Sequence, residues 1–141
     1  MNKFFNIKVD AKSALPIYEQ VKRSIKLAIF SGRLEDGDQV RSIRELSLKL
    51  RINPNTIIKV YSQLEAEGFL ISRPGAGYFV KLDRKKMQRE KRELFEELTT
   101  EYVAKMLELG YSMDELIHEI RKYGRNSSFE KNLKELESAG Y

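Results

Sequence analysis

The chain has 141 residues, 41% of them hydrophobic and 33% charged, with no cysteine, a single histidine and a formal net charge of +5. That length accommodates one modest core plus a smaller element, and the lack of cysteine excludes disulfides, thiolate zinc sites and cysteine nucleophiles. The longest uninterrupted apolar run, Leu27-Ala28-Ile29-Phe30, is too short to span a bilayer, and no apolar stretch follows a basic start, so a cytoplasmic protein without membrane association is expected.

In chain order, residues 7–9 read as a short strand or an extended arm, with Phe4 and Phe5 available to cover core or partner surface. Pro16 opens the first helix and Gly32 closes it, and Val21, Ile25, Ala28 and Ile29 form its apolar stripe. Glu35-Asp36-Gly37-Asp38 is a turn signal. Ser42 and Glu45 form a capping box, so a second helix starts there. Ile43, Leu46 and Leu50 are its apolar positions, while Arg44, Ser47 and Arg51 lie outside that stripe. After a turn at Arg51-Ile52, Asn53 is a good N-cap and Pro54 suits the first helical position. On the third helix Ile57, Val60, Tyr61 and Leu64 share one face. Asn55, Lys59, Ser62 and Gln63 project from the other, with Thr56 at the edge of the first turn. Gly68 ends the helix. Residues 70–73 and 78–80 then read as short strands around Pro74-Gly75-Ala76-Gly77. Two helices about a tight turn, followed by a hairpin, have the layout of a winged helix-turn-helix.

A long amphipathic helix is predicted from about Arg84 to Leu109, with Phe95, Leu98, Tyr102, Met106 and Leu109 along one face and Gly110 as its stop. A capping box at Ser112 and Glu115 starts another helix, which carries Leu116, Ile117 and Ile120 and ends near Gly124. Residues 125–128 read as loop, and 129–137 as at best a short, frayed helix. The fold class is therefore mainly α with a small β-hairpin. Residues 1–82 form a winged helix-turn-helix domain, and residues 83–141 a helical dimerisation tail whose last 15 or so residues are frayed.

Charge follows the same division. Residues 1–82 carry a net +6 and the remainder −1; within that remainder, residues 83–92 are +4 and residues 93–141 are −5. A basic N-terminal module with an acidic tail is the asymmetry expected when one end faces phosphate.

The runs Pro16-Ile17-Tyr18-Glu19-Gln20, Ser31-Gly32-Arg33-Leu34, Asp36-Gly37-Asp38, Ser42-Ile43-Arg44-Glu45-Leu46, Asn53-Pro54-Asn55-Thr56 and Leu64-Glu65-Ala66-Glu67-Gly68-Phe69-Leu70 resemble the GntR family of bacterial transcription regulators in order and spacing. The resemblance covers roughly the first 80 residues. Asn-Pro-Asn-Thr with a short tail is similar to the YtrA-type subfamily. One departure is Arg41, where the family usually has proline. The resemblance implies a homodimer joined by the tail, bound to a palindromic operator on double-stranded DNA, and a repressor of its own operon and neighbouring transporter genes.

The outward face of the third helix offers amide, hydroxyl and ammonium groups suited to a major groove. The expected DNA-binding residues are Arg41, Ser42, Arg44, Asn53, Asn55, Thr56, Lys59, Arg73, Gly75 and Gly77. Among them Asn55 and Lys59 would choose sequence, Arg44, Thr56, Arg41 and Arg73 would hold phosphate, and the two wing glycines would let the backbone approach a minor groove. Phe95, Leu98, Tyr102, Met106 and Leu109 are the expected dimer face, since a lone two-helix tail would leave them wet. A face folded back on the winged domain is the simpler alternative for them. His118 has no second histidine or cysteine to share a metal, and Glu93, Glu96, Glu97 and Glu101 read as a solvated helical face, so no metal, cofactor or enzymatic activity is expected. A tail of two helices is too small to enclose an ordinary metabolite pocket. A winged helix used only for protein contacts is the other functional class; duplex binding with steep salt dependence separates the two.

Overall fold

A computed structural model describes residues 7–125 and residue 131. Among the described residues five helices and one antiparallel hairpin follow in order: α1 (Ile17–Phe30), α2 (Ile43–Leu50), α3 (Pro54–Ala66), β1 (Leu70–Arg73), β2 (Gly77–Val80), α4 (Arg84–Glu108) and α5 (Met113–Gly124). Phe4, Phe5 and the terminal loop and helix expected over 125–137, Arg125 and Lys131 apart, lie outside the described residues.

Local chemistry places most of the joins. The Ser42 hydroxyl accepts from the Glu45 N–H at 3.0 Å while the Glu45 carboxylate accepts from the Ser42 N–H at 3.4 Å, which completes the capping box. The Asn53 side chain accepts from the Asn55 N–H at 2.9 Å, and Pro54 occupies the first position of α3. Between these helices Arg51 takes φ 56°, the left-handed region that normally favours glycine, and the turn closes through Ile52 N–H to the Ser47 carbonyl at 3.0 Å. Gly68, with φ 85°, ends α3. Pro16 sits one residue before the helix it was expected to open, as the N-cap of α1.

Helices α1 and α3 pack on each other and on the hairpin. Their buried side chains Val21, Ile25, Ile57, Val60 and Leu64 meet Leu70 and Val80 in one core. Each contributes about 1.5–3 kcal/mol by leaving water. Residues 7–9 form no strand, but Ile7 is buried in that core, so the extended-arm alternative describes them. Ser47 was expected outside the apolar stripe of α2 and is instead buried, because its hydroxyl is satisfied within the helix by the Arg44 carbonyl at 3.0 Å.

Tyr61 joins three elements. Its ring packs edge-on to Tyr78 of β2 at 5.0 Å, and its hydroxyl donates to the Arg41 carbonyl at 2.6 Å. With Val40 N–H bonded to the Tyr78 carbonyl at 3.1 Å, the approach to α2 is held by hydrogen bonds around Arg41, the one departure noted in the sequence pattern.

The first half of α4 lies against this domain. Met87 and Leu94 pack on the core, the Lys86 ammonium stands over the Phe69 ring at 5.5 Å, and Lys26 meets Glu90 at 3.5 Å and Arg23 meets Glu97 at 3.8 Å. The first pair is partly buried and the second exposed; the exposed one contributes at most about 1 kcal/mol, and the apolar contacts of Met87 and Leu94 accompany both. The face named from the sequence does not fold back. Phe95 (58%), Leu98 (41%), Tyr102 (39%) and Leu109 (68%) stay exposed, and Met106 is half-buried. Helix α5 touches α4 and buries Leu116, while Ile117, Ile120 and Tyr123 stay exposed.

The Tyr61→Phe variant keeps the ring and loses one hydrogen bond, leaving the Arg41 carbonyl without that donor. It should unfold about 1–2 kcal/mol more easily in urea titrations, with the helical signal of the native state unchanged.

Candidate nucleic-acid interface

Asn55, Ile58, Lys59 and Ser62 lie on the outward side of α3, opposite its buried face, and all four are exposed. Thr56 is half-buried at the edge, as its position in the first turn implies. Gln63 does not belong with them. Its side chain is half-buried and its Oε1 is enclosed without a hydrogen-bond partner among the described residues, because a residue one turn past Lys59 lies toward the flank of α3 rather than its crest.

Lys59 does not stand free over the helix. Its ammonium sits 4.1 Å from the centroid of the Tyr18 ring, a cation–π contact that draws it toward α1. The opposite flank is tied to the wing: both the N–H and the hydroxyl of Ser72 donate to Glu65, each at 2.8 Å. The outward face of α3 is thereby bracketed by α1 on one side and β1 on the other.

The wing has its own supports. Gln39 donates from Nε2 to the Ala76 carbonyl at 2.7 Å and bridges Phe79, so the tip between the strands is braced from the segment before α2. Gly77, at φ 108°, holds a backbone conformation that L side chains rarely adopt, and a Cβ there would stand 3.3 Å from Gln39 Nε2, close enough to press on that amide. Arg73 stacks its guanidinium on the Phe79 ring at 4.5 Å. Neither Gln39 nor Glu65 was picked out from the sequence, because their partners lie 37 and 7 residues away and no local spacing marks them.

Arg44 is exposed on α2, and Arg41 is half-buried. Burial lowers the Arg41 guanidinium from its ordinary value, against the pull of the Glu45 carboxylate. Ser42 and Asn53 are engaged as caps through their side-chain oxygens, and Gly75, at φ 74°, lies in the wing turn. At the base of the domain, burial raises Glu67, but Lys22 at 2.8 Å and Lys26 at 3.2 Å outweigh it and hold the carboxyl below its ordinary value.

Away from the winged domain, α4 and α5 enclose an open groove of about 680 Å³ lined by Tyr102, Met106, Tyr111, Leu116 and His118, among others. Among the described residues no group of three His, Cys, Asp or Glu side chains could hold a metal ion, and no helix is long and apolar enough to cross a membrane.

Comparison with known proteins bears on this geometry. The family of bacterial regulatory proteins named gntR matches residues 17–80, which run from α1 to the end of the wing. The HTH-type transcriptional regulator YhcF of Bacillus subtilis is 31% identical over 112 residues, 79% of this chain and 93% of YhcF. The chain belongs to the GntR family. The HTH-type transcriptional repressor YtrA of B. subtilis is 38% identical over 74 residues, which span 57% of YtrA. Among solved structures, a GntR family transcriptional regulator from Listeria monocytogenes aligns with TM-score 0.68 and 30% identity, covering 79% of this chain and 97% of that one. YtrA from Sulfolobus acidocaldarius, a GntR-family transcription factor, aligns with TM-score 0.53 and 34% identity over 70% of this chain and 97% of its own. These matches in sequence and structure support a YtrA-type transcription regulator with a winged-helix domain.

The Ser72 N–H and hydroxyl hold the Glu65 carboxyl below its ordinary value of 4.5. A carboxyl whose folded pKa is depressed stabilises the fold fully above its unfolded value and loses that contribution as pH falls through the folded one. The Glu65–Ser72 tie should therefore be intact at neutral pH and loosen in the acid range below 4.5. In a pH titration followed by NMR, the Ser72 amide should shift with that transition in the parent chain and stay flat in Glu65→Gln.

Proposed function

We propose that this GntR-family regulator is a homodimer that binds a palindromic operator and represses transcription, its own operon and neighbouring transporter genes being the expected targets by likeness to the YtrA branch. The observation that carries the reading is the outward face of α3: polar, capped at its start by Asn53, and bracketed by Tyr18 and the Glu65–Ser72 tie. A helix fixed on both flanks presents its side chains to a groove without first losing much conformational freedom.

Asn55 offers a paired donor and acceptor matched to adenine, and Lys59, standing on Tyr18, offers a cation near the same groove. Arg44, Thr56, Arg41 and Arg73 supply phosphate contacts, with Ser42, Asn53, Gly75 and Gly77 fixing the backbone that carries them. Residues 83–141 form the dimerisation region. A second copy would cover Phe95, Leu98, Tyr102, Met106 and Leu109 and set two α3 helices about 34 Å apart, one turn of DNA.

Duplex retention should fall steeply with salt. Arg44→Ala should weaken all duplexes alike and flatten the salt slope by about one unit. Asn55→Ala should cost about 1–3 kcal/mol on the selected site and less on random sequence. Absence of retention at low salt would leave the winged domain as a protein-contact module.

For the tail, the double variant Leu98→Glu, Tyr102→Glu places charge at exposed positions that the lone chain tolerates and a dimer core does not. Light scattering at micromolar concentration should give a dimer for the parent and a monomer for the variant. A monomeric parent, or a dimeric variant, would remove the tail from the interface.

A further inference from the structure

Ile58 stands out on α3. It keeps 43% of its surface exposed on the face that otherwise carries Asn55, Lys59 and Ser62, each with a polar group to offer. Single exposed isoleucines are ordinary on protein surfaces, but the position of this one is defined on both sides. Lys59, next along the helix, is drawn away onto Tyr18, while Glu65, seven residues on and so on the same flank as Ile58, is pinned to Ser72 of β1. Ile58 therefore occupies the wing-side edge of the outward face, one turn from Asn55 and one turn from Ser62. Its β-branched side chain has little rotational freedom on a helix, so little is lost when it is held against a partner.

Resting on the reading of α3 as a major-groove reader, we infer that Ile58 is a specificity-determining residue that selects a thymine through its C5-methyl group. Of the features that base edges present in the major groove, the thymine methyl is the apolar one. An aliphatic side chain gains nothing from the amino, carbonyl or ring-nitrogen edges of the other bases, and would strip water from them without supplying a hydrogen bond. Ile58 thus complements Asn55: the amide reads hydrogen-bonding groups, and the isoleucine one turn away reads a methyl at a neighbouring step.

The test uses the full chain. Duplexes are first selected from a random pool, and each thymine of the selected half-site is then replaced singly by deoxyuridine, which removes the methyl and keeps the pairing. At one position per half-site the parent chain should lose about four-fold in affinity, the effect of one buried methyl-sized group. Ile58→Ala should bind thymine and uracil alike at that position, and Ile58→Val, which keeps a branched apolar side chain, should retain most of the discrimination. The exchange is specific to one base, so a general weakening of the fold would not mimic it. If the chain selects duplexes but no uracil exchange separates the parent from Ile58→Ala, the assignment of Ile58 is overturned while the DNA-binding reading stands. If no duplex is selected at all, both fall.

Discussion

The hydroxyl of Tyr61 is the point at which the winged domain is tied together. Helices α2 and α3 can be formed by their own caps, and the hairpin by its own turn, but their mutual placement needs contacts across the chain. Tyr61 supplies them from the middle of α3 by bonding the Arg41 backbone and packing its ring against Tyr78. Because it is almost wholly buried, its pKa is raised above the ordinary phenol value and the hydroxyl is a donor at neutral pH. The outward face of α3 is positioned through its inward face, which is committed in this way.

Around that anchor, charge is used at the periphery rather than in the core. Glu67 gathers Lys22 and Lys26 where α1 meets the end of α3, and Lys26 reaches on to Glu90 of α4. These contacts orient elements that apolar packing has already brought together, since partly exposed pairs contribute little to stability on their own. The aromatic rings are used twice over in the same spirit: Phe69 packs edge-on to Phe30 at 5.9 Å and carries the ammonium groups of both Lys26 and Lys86. One ring thus serves the core and the junction with the tail.

What could be read from the sequence was set by the range of the interaction. Both capping boxes, the Asn53-Pro54 start and the strand segments obey rules that span a few residues, and the structure has them where those rules put them, save that Gly77, read as turn, pairs with Arg73 as the first residue of β2. The left-handed Arg51 was legible as a turn but not as a conformation, since no glycine marks it. Contacts between distant residues were not legible. Nothing in a linear pattern tells that Lys59 lies on Tyr18, that Gln39 braces the wing tip, or that Gln63 turns inward. On α4 the strongest apolar row, Phe95 to Leu109, masked a second and shorter one through Met87 and Leu94, set about a quarter-turn round the helix, and it is the weaker row that packs on the core.

Those two rows give α4 a phase. Its 25 residues span about 37 Å, with Met87 and Leu94 fixing the angle at which the helix leaves the winged core and Phe95 to Leu109 facing outward beyond it. The helix therefore couples the two ends of the molecule in rotation as well as in distance. One residue inserted between Leu94 and Phe95 would swing the outward row by about 100° and advance it by only about 1.5 Å, whereas seven residues would restore its direction to within about 20° and carry it about 10 Å further. In a helix built this way, changes of length are tolerated where they come to nearly whole turns, about seven, eleven or eighteen residues, and the spacing between whatever its two rows engage changes in steps of those sizes.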